Sequence, residues 1–81
     1  MMHHTVLTFA SYAELLGSAE LEVELPEPAM VDDLIHALRA LPGGGSLPTM
    51  PLIAVNRRLA ESGTSITPGD ELALLPPLAG G

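Results

Sequence analysis

Apolar and charged residues alternate strictly from Glu20 to Leu25. Leu21, Val23 and Leu25 fall on one side, and Glu20, Glu22 and Glu24 on the other. A period of two with one wet face predicts a strand from an antiparallel pair. Between Met30 and Leu41 the period lengthens: Val31, Leu34, Ile35, Leu38 and Leu41 recur at the spacing of an amphipathic helix. Asp32 and Asp33 in its first turn and Arg39 near its end suit the helix dipole. Thr5 to Phe9 is β-rich and apolar and reads as a strand. Ser11-Tyr12-Ala13-Glu14 has capping-box spacing, which predicts one or two helical turns stopped by Gly17. Pro42-Gly43-Gly44-Gly45 ends the long helix, and a loose loop is expected through Pro51.

Three shorter signals follow. Leu52 to Val55 reads as a strand, Asn56-Arg57-Arg58 as a polar turn, and Leu59-Ala60 as a brief strand. Thr67-Pro68-Gly69-Asp70 fits a type II turn, with proline and glycine at the two central positions. Glu71 to Leu75 is the last strand expected. The order is strand, short helix, strand, long helix, strand, short strand, strand. One amphipathic helix and a small twisted sheet can bury each other, which makes the chain α+β. A mixed sheet of about five short strands crossed by one main helix, the β-grasp shape, accommodates this order. The expected organisation is one domain over residues 1–75 and a flexible, extended tail over 76–81.

Composition narrows the function. The chain has 81 residues, with ten acids against three bases and a formal charge of −7. That balance argues against nucleic acid or an anionic membrane surface as partner. Phe9 and Tyr12 are the only aromatics, too few for a platform on which bases stack. The absence of cysteine removes disulfides, thiolate metal sites and thiol nucleophiles. It also suits a reducing cytoplasmic setting. No apolar run approaches the roughly 20 residues of a membrane span, and the N-terminus lacks signal-peptide features.

Other polar groups read as ordinary surface. His3 and His4 are expected at a loose terminus, native or appended for expression. Asp32 and His36 make only two possible ligands, so no metal site is expected. Gly43-Gly44-Gly45 lacks the lysine and hydroxyl residue of a phosphate loop and reads as flexible. The three glutamates of the alternating strand read as a solvent face that discourages edge pairing.

The last six residues stand apart from this scaffold. Pro76 and Pro77 remove backbone donors and should end strand pairing. Leu78, Ala79, Gly80 and Gly81 follow. Six extended residues reach roughly 20 Å. Gly80 and Gly81 carry no Cβ, so a narrow protein channel could enclose them. The terminal carboxylate would then be the reactive group at the tip.

Particular residues carry a family likeness. They are Phe9-Ala10, Glu14-Leu15-Leu16-Gly17, Ala54-Val55-Asn56, Pro68-Gly69-Asp70-Glu71 and the Pro76-Pro77-Leu78-Ala79-Gly80-Gly81 ending. In these the chain resembles the small-subunit family of molybdopterin synthase, the MoaD-type ubiquitin-like sulfur carriers. The resemblance implies a β-grasp fold and a carrier that is not catalytic alone. It implies that Gly81, presented with Gly80, is adenylated by an ATP-dependent activating enzyme and converted to a thiocarboxylate. The tail then enters the large synthase subunit, in an expected heterotetramer, and gives its sulfur to cyclic pyranopterin monophosphate. No cofactor is expected on the chain itself; ATP belongs to the activating enzyme.

By the same resemblance Phe9, Leu59 and Leu75 match an apolar patch that faces partners, together with the tail residues Pro76, Pro77, Leu78 and Ala79. The alternative is that all three are core, or that Leu74 rather than Leu75 takes the exposed place. Arginine is common in relatives where this chain has Ala13, and aromatics where it has Leu74-Leu75. Two other functions stay open: a carrier for thiamin thiazole or another thiolation pathway, and a protein modifier joined to lysines as ubiquitin is. The chain has no lysine on which to build polymers of itself.

Overall fold

The computed structural model describes residues 1–77; Leu78, Ala79, Gly80 and Gly81 lie outside the described residues. In chain order the elements are β1 (Met2–Thr8), α1 (Ala10–Leu16), β2 (Glu20–Leu25), β3 (Ala29–Met30) and α2 (Val31–Arg39). A 3₁₀ turn (Gly44–Ser46) follows, then β4 (Leu52–Val55), β5 (Arg58–Ala60), β6 (Ser65–Ile66) and β7 (Leu72–Leu75). Five strands form one mixed sheet in the order β2-β1-β7-β4-β5, and β3 pairs with β6 in a separate two-stranded ladder. β1 and β7 run parallel at the centre; the other neighbours in the sheet are antiparallel. This is the β-grasp arrangement that the element order predicted.

One face of the sheet is closed by α2. Val31, Leu34, Ile35 and Leu38 are buried along one side of the helix. They pack with Val6, Val23, Leu25, Ile53, Leu72 and Leu74 in a single core cluster. The i, i+3, i+4, i+7 spacing put these four residues on one stripe, and burying that stripe is what holds a nine-residue helix. The carboxylate of Asp33 accepts the backbone N–H of Met30 at 2.8 Å, so one free donor at the helix start is satisfied.

Three expectations need correction. The Ser11–Glu14 capping box is not formed: α1 begins at Ala10, with Phe9 in the cap position and no side-chain cap bond. The chain turns into the helix at Ala10, whose φ is +51°, so Ser11 already sits inside. Gly17 does end the helix in left-handed conformation, at φ +86°.

The N-terminus is not loose. β2 offers six residues, and β1 extends back to Met2 to pair with all of them, from Met2 opposite Leu25 to Leu7 opposite Glu20. His4 is thereby buried, at 6% exposure. His3 points to the other face, with Nε2 at 3.0 Å from Glu24 and Nδ1 at 3.7 Å from Glu22.

The third correction is the glycine run. Gly44 is buried and opens a 3₁₀ turn, and its N–H donates to the Leu41 carbonyl at 2.7 Å. Leu47, at 3% exposure, then anchors the following loop to the core.

Candidate partner-binding face and the root of the C-terminal tail

The pairing registers align five residues in one row across the whole sheet. Glu20 stands opposite Leu7, Leu7 opposite Ala73, Ala73 opposite Ala54, and Ala54 opposite Leu59. Side chains alternate across a strand, so this row lies on the face away from α2. The adjoining inner rows hold Val6, Leu72, Leu74 and Ile53, all fully buried. The outer face is therefore apolar in the middle and acidic along β2, where Glu20, Glu22 and Glu24 are exposed.

All three residues expected to form a partner patch reach this outer surface. Phe9 follows β1 and is 44% exposed, and Leu59 on β5 is 63% exposed. Leu75 is half-buried, opposite Leu52, whereas its neighbour Leu74 is fully buried. The register of β7 between β1 and β4 makes that choice: Leu72 and Leu74 point into the core, Ala73 and Leu75 out. Phe9 and Leu75 share a shallow cup of about 200 Å³ whose floor is Leu7, Ala54 and Ala73. Leu59 stands farther along the same face, beyond Ala54.

Polar groups brace the start of β7, and sequence reasoning did not identify them as a unit. Asn56 and Arg57, at φ +53° and +70°, form a two-residue turn between β4 and β5. Positive φ at both central positions is the hairpin geometry that matches the twist of its strands. The Asn56 amide donates to Oδ1 of Asp70 at 3.0 Å, and its carbonyl oxygen accepts the Glu71 N–H at 2.9 Å. Oδ2 of Asp70 accepts the Thr67 N–H at 2.8 Å and closes the turn around Gly69. Arg57 Nε donates to Glu71 at 3.3 Å at the rim of the cup. The Thr67 N–H, and after it the Asn56 amide, hold the Asp70 carboxyl below its usual range. The readable signal was an asparagine at a tight turn, a residue that tolerates the left-handed region.

β7 ends at Leu75, and the chain continues through half-buried Pro76 to exposed Pro77. Of the residues expected in the tail, Leu78, Ala79, Gly80 and Gly81 lie outside the described residues. The root of the tail leaves from a strand held on both sides, by β1 and by β4, next to the apolar cup. Asp32 and His36 lie 3.8 Å apart on the exposed side of α2. Among the described residues, no helix is long and apolar enough to cross a membrane.

Comparison with known proteins agrees with this geometry. The model of the ThiS family matches residues 6–81. Small archaeal modifier protein 1 of Haloferax volcanii is 34% identical over 82 residues, covering 90% of this chain and 94% of that protein. A crystal structure of that protein superposes with a TM-score of 0.80 at 30% identity, covering 99% of this chain and 100% of the other. A Pyrococcus furiosus protein described as molybdopterin converting factor, subunit 1, gives a TM-score of 0.80 at 28% identity over 96% of this chain and 100% of its own. Subunits 1 and 2 of molybdopterin-converting factor from Helicobacter pylori were solved as a complex. A chain of it matches in fold, with a TM-score of 0.70 at 23% identity over 99% of this chain and 100% of that one. The chain belongs to the ThiS family and has the ubiquitin-like fold of its small sulfur carriers.

Proposed function

We propose that this chain carries sulfur on Gly81 for molybdenum cofactor synthesis, as the small subunit of a molybdopterin synthase. The observation that carries the reading is the placement of the tail root. A strand gripped on both sides runs out into Pro76-Pro77 beside an exposed apolar cup, with Gly80-Gly81 a few residues beyond. The family match continues through Gly81.

The chemistry follows from what the chain has and lacks. An α-carboxylate ionises near pH 3.3–3.7, so at neutral pH it is an anion and a poor electrophile. Attack of that carboxylate on the α-phosphorus of ATP, with loss of pyrophosphate, makes an acyl adenylate. A sulfur nucleophile from outside then displaces AMP and leaves a thiocarboxylate, since the chain has no cysteine of its own. No residue after Glu71 carries a titratable side chain, so the adenylating enzyme and the large subunit must orient and stabilise each step. Gly80 and Gly81 give that end the slimness a partner channel requires. Phe9, Leu59 and Leu75, with Pro76 to Ala79, supply the contacts outside the channel. The large subunit receives the tail in a heterotetramer, and both partners work in the cytoplasm.

Likeness to a small archaeal modifier protein favours a second reading, in which Gly81 is joined to amines of other proteins. Co-expression with the adenylating enzyme separates the two. The carrier reading expects an intact mass raised by about 16 units, one oxygen exchanged for sulfur, localised to the last peptide because methionine oxidation adds the same mass. Removing Gly81 should leave folding intact and stop conversion of precursor to molybdopterin. Conversion that persists without Gly81 rejects the carrier mechanism. Target lysines linked to Gly81 in cell lysate would establish the modifier instead.

A further inference from the structure

Met50 projects from the loop that the sequence reads as loose, and it is 62% exposed. The loop is built to hold it there. Leu47 is buried at one end, Pro48 and Pro51 flank the methionine, and β4 begins at Leu52. Three clefts converge on this side chain. One lies along α2, with Asp32, His36 and Arg39; one reaches edge strand β5 at Leu59; the third runs to the tail root. The third has about 310 Å³ and is walled by Tyr12, Pro48, Pro51, Leu52, Leu75 and Pro77. Among the described residues it is lined by no charged side chain, on a chain of formal charge −7.

We propose that this cleft is a second docking surface, and that it receives an aliphatic or aromatic side chain of the protein that grasps the tail. The inference rests on the carrier reading and adds a contact to it. Leu75 borders both the cup on the sheet and this cleft, and Pro77 lines the cleft itself. Two apolar depressions therefore meet at Leu75, and the second reaches Pro77, the last residue before the segment that a partner would enclose. Charge selects the occupant. A basic side chain would lose its hydration in this cleft and find no carboxylate among the described residues that line it, whereas an apolar group gains by burial. Methionine suits the position because its unbranched thioether moulds to different shapes, and a carrier must fit an activating enzyme and then an acceptor.

The test uses the full chain with ¹³C-methyl-labelled methionine and the adenylating enzyme of the same genome as the probe. The chain has four methionines, which makes the spectrum assignable. On addition of the enzyme the Met50 methyl signal should shift, while that of Met30, on β3 and outside the cleft, stays in place. Met50→Glu should weaken association by about tenfold, and the milder Met50→Gln by less, with thermal stability unchanged. An unmoved Met50 signal with full affinity in Met50→Glu, while Phe9→Glu weakens binding, overturns the second surface and leaves the carrier reading standing. No association of the wild-type chain at all overturns the carrier reading and the inference built on it.

Discussion

The side-chain amide of Asn56 donates to Oδ1 of Asp70 at 3.0 Å, joining two turns that lie fourteen residues apart in sequence. One turn links β4 to β5, and the other leads into β7. Their union fixes where the central strand starts, and therefore where the tail root leaves the sheet. The carboxylate serves both turns, because its second oxygen accepts from Thr67.

Asp70 should accordingly couple stability to pH. Its folded pKa lies below the usual value because the Thr67 N–H and the Asn56 amide bind the charged form. The contribution is complete above the unfolded value, about pH 4, and is lost as pH falls through the folded one. Melting temperatures of wild type and Asp70→Asn should differ at about pH 6 and converge toward about pH 3. A constant difference across that range would contradict the assignment.

Leu34 and Leu38 are fully buried in the core. Leu34→Ala or Leu38→Ala should cost about 2–5 kcal/mol, measured by denaturant unfolding. The equivalent change at Leu59, 63% exposed, should cost far less.

The glycine run should show sharp position dependence. A Cβ on Gly43, whose φ is +85°, would stand 2.6 Å from the Leu15 carbonyl oxygen, and one on Gly44 would strike the Leu38 carbonyl. Gly43→Ala and Gly44→Ala should each destabilise by about 1–3 kcal/mol or more. Gly45 has nothing within 4 Å of its Cβ position, and Gly45→Ala should be close to neutral in a melting experiment.

Phe9 is 44% exposed at the edge of the cup. If the chain is the proposed carrier, Phe9→Glu should weaken binding to an adenylating enzyme and to a large synthase subunit by about tenfold or more in titration calorimetry, with little change in melting temperature. Leu74→Glu, by contrast, places a charge in the core and should unfold the domain. Equal partner affinity for wild type and Phe9→Glu would remove Phe9 from the interface.

Periodicity by itself determined much of this protein. The alternation in β2 and the helical spacing of α2 mark which residues are buried, because one-sided burial imposes a period of two on a strand and 3.6 on a helix. The same sequence carried the Gly69 turn, the Gly17 stop and the prolines after β7. Tertiary structure decided the rest. Whether Leu74 or Leu75 faces out follows from the register of β7 between β1 and β4, which no local signal fixes. His4 is buried because β2 extends far enough to pair with it, and the β3–β6 ladder is two residues a side, too short for any periodic pattern. The row from Glu20 to Leu59 draws on five strands spread along the chain. Such a face exists only once hydrogen bonds between distant segments have set their order, and local preferences cannot encode those bonds.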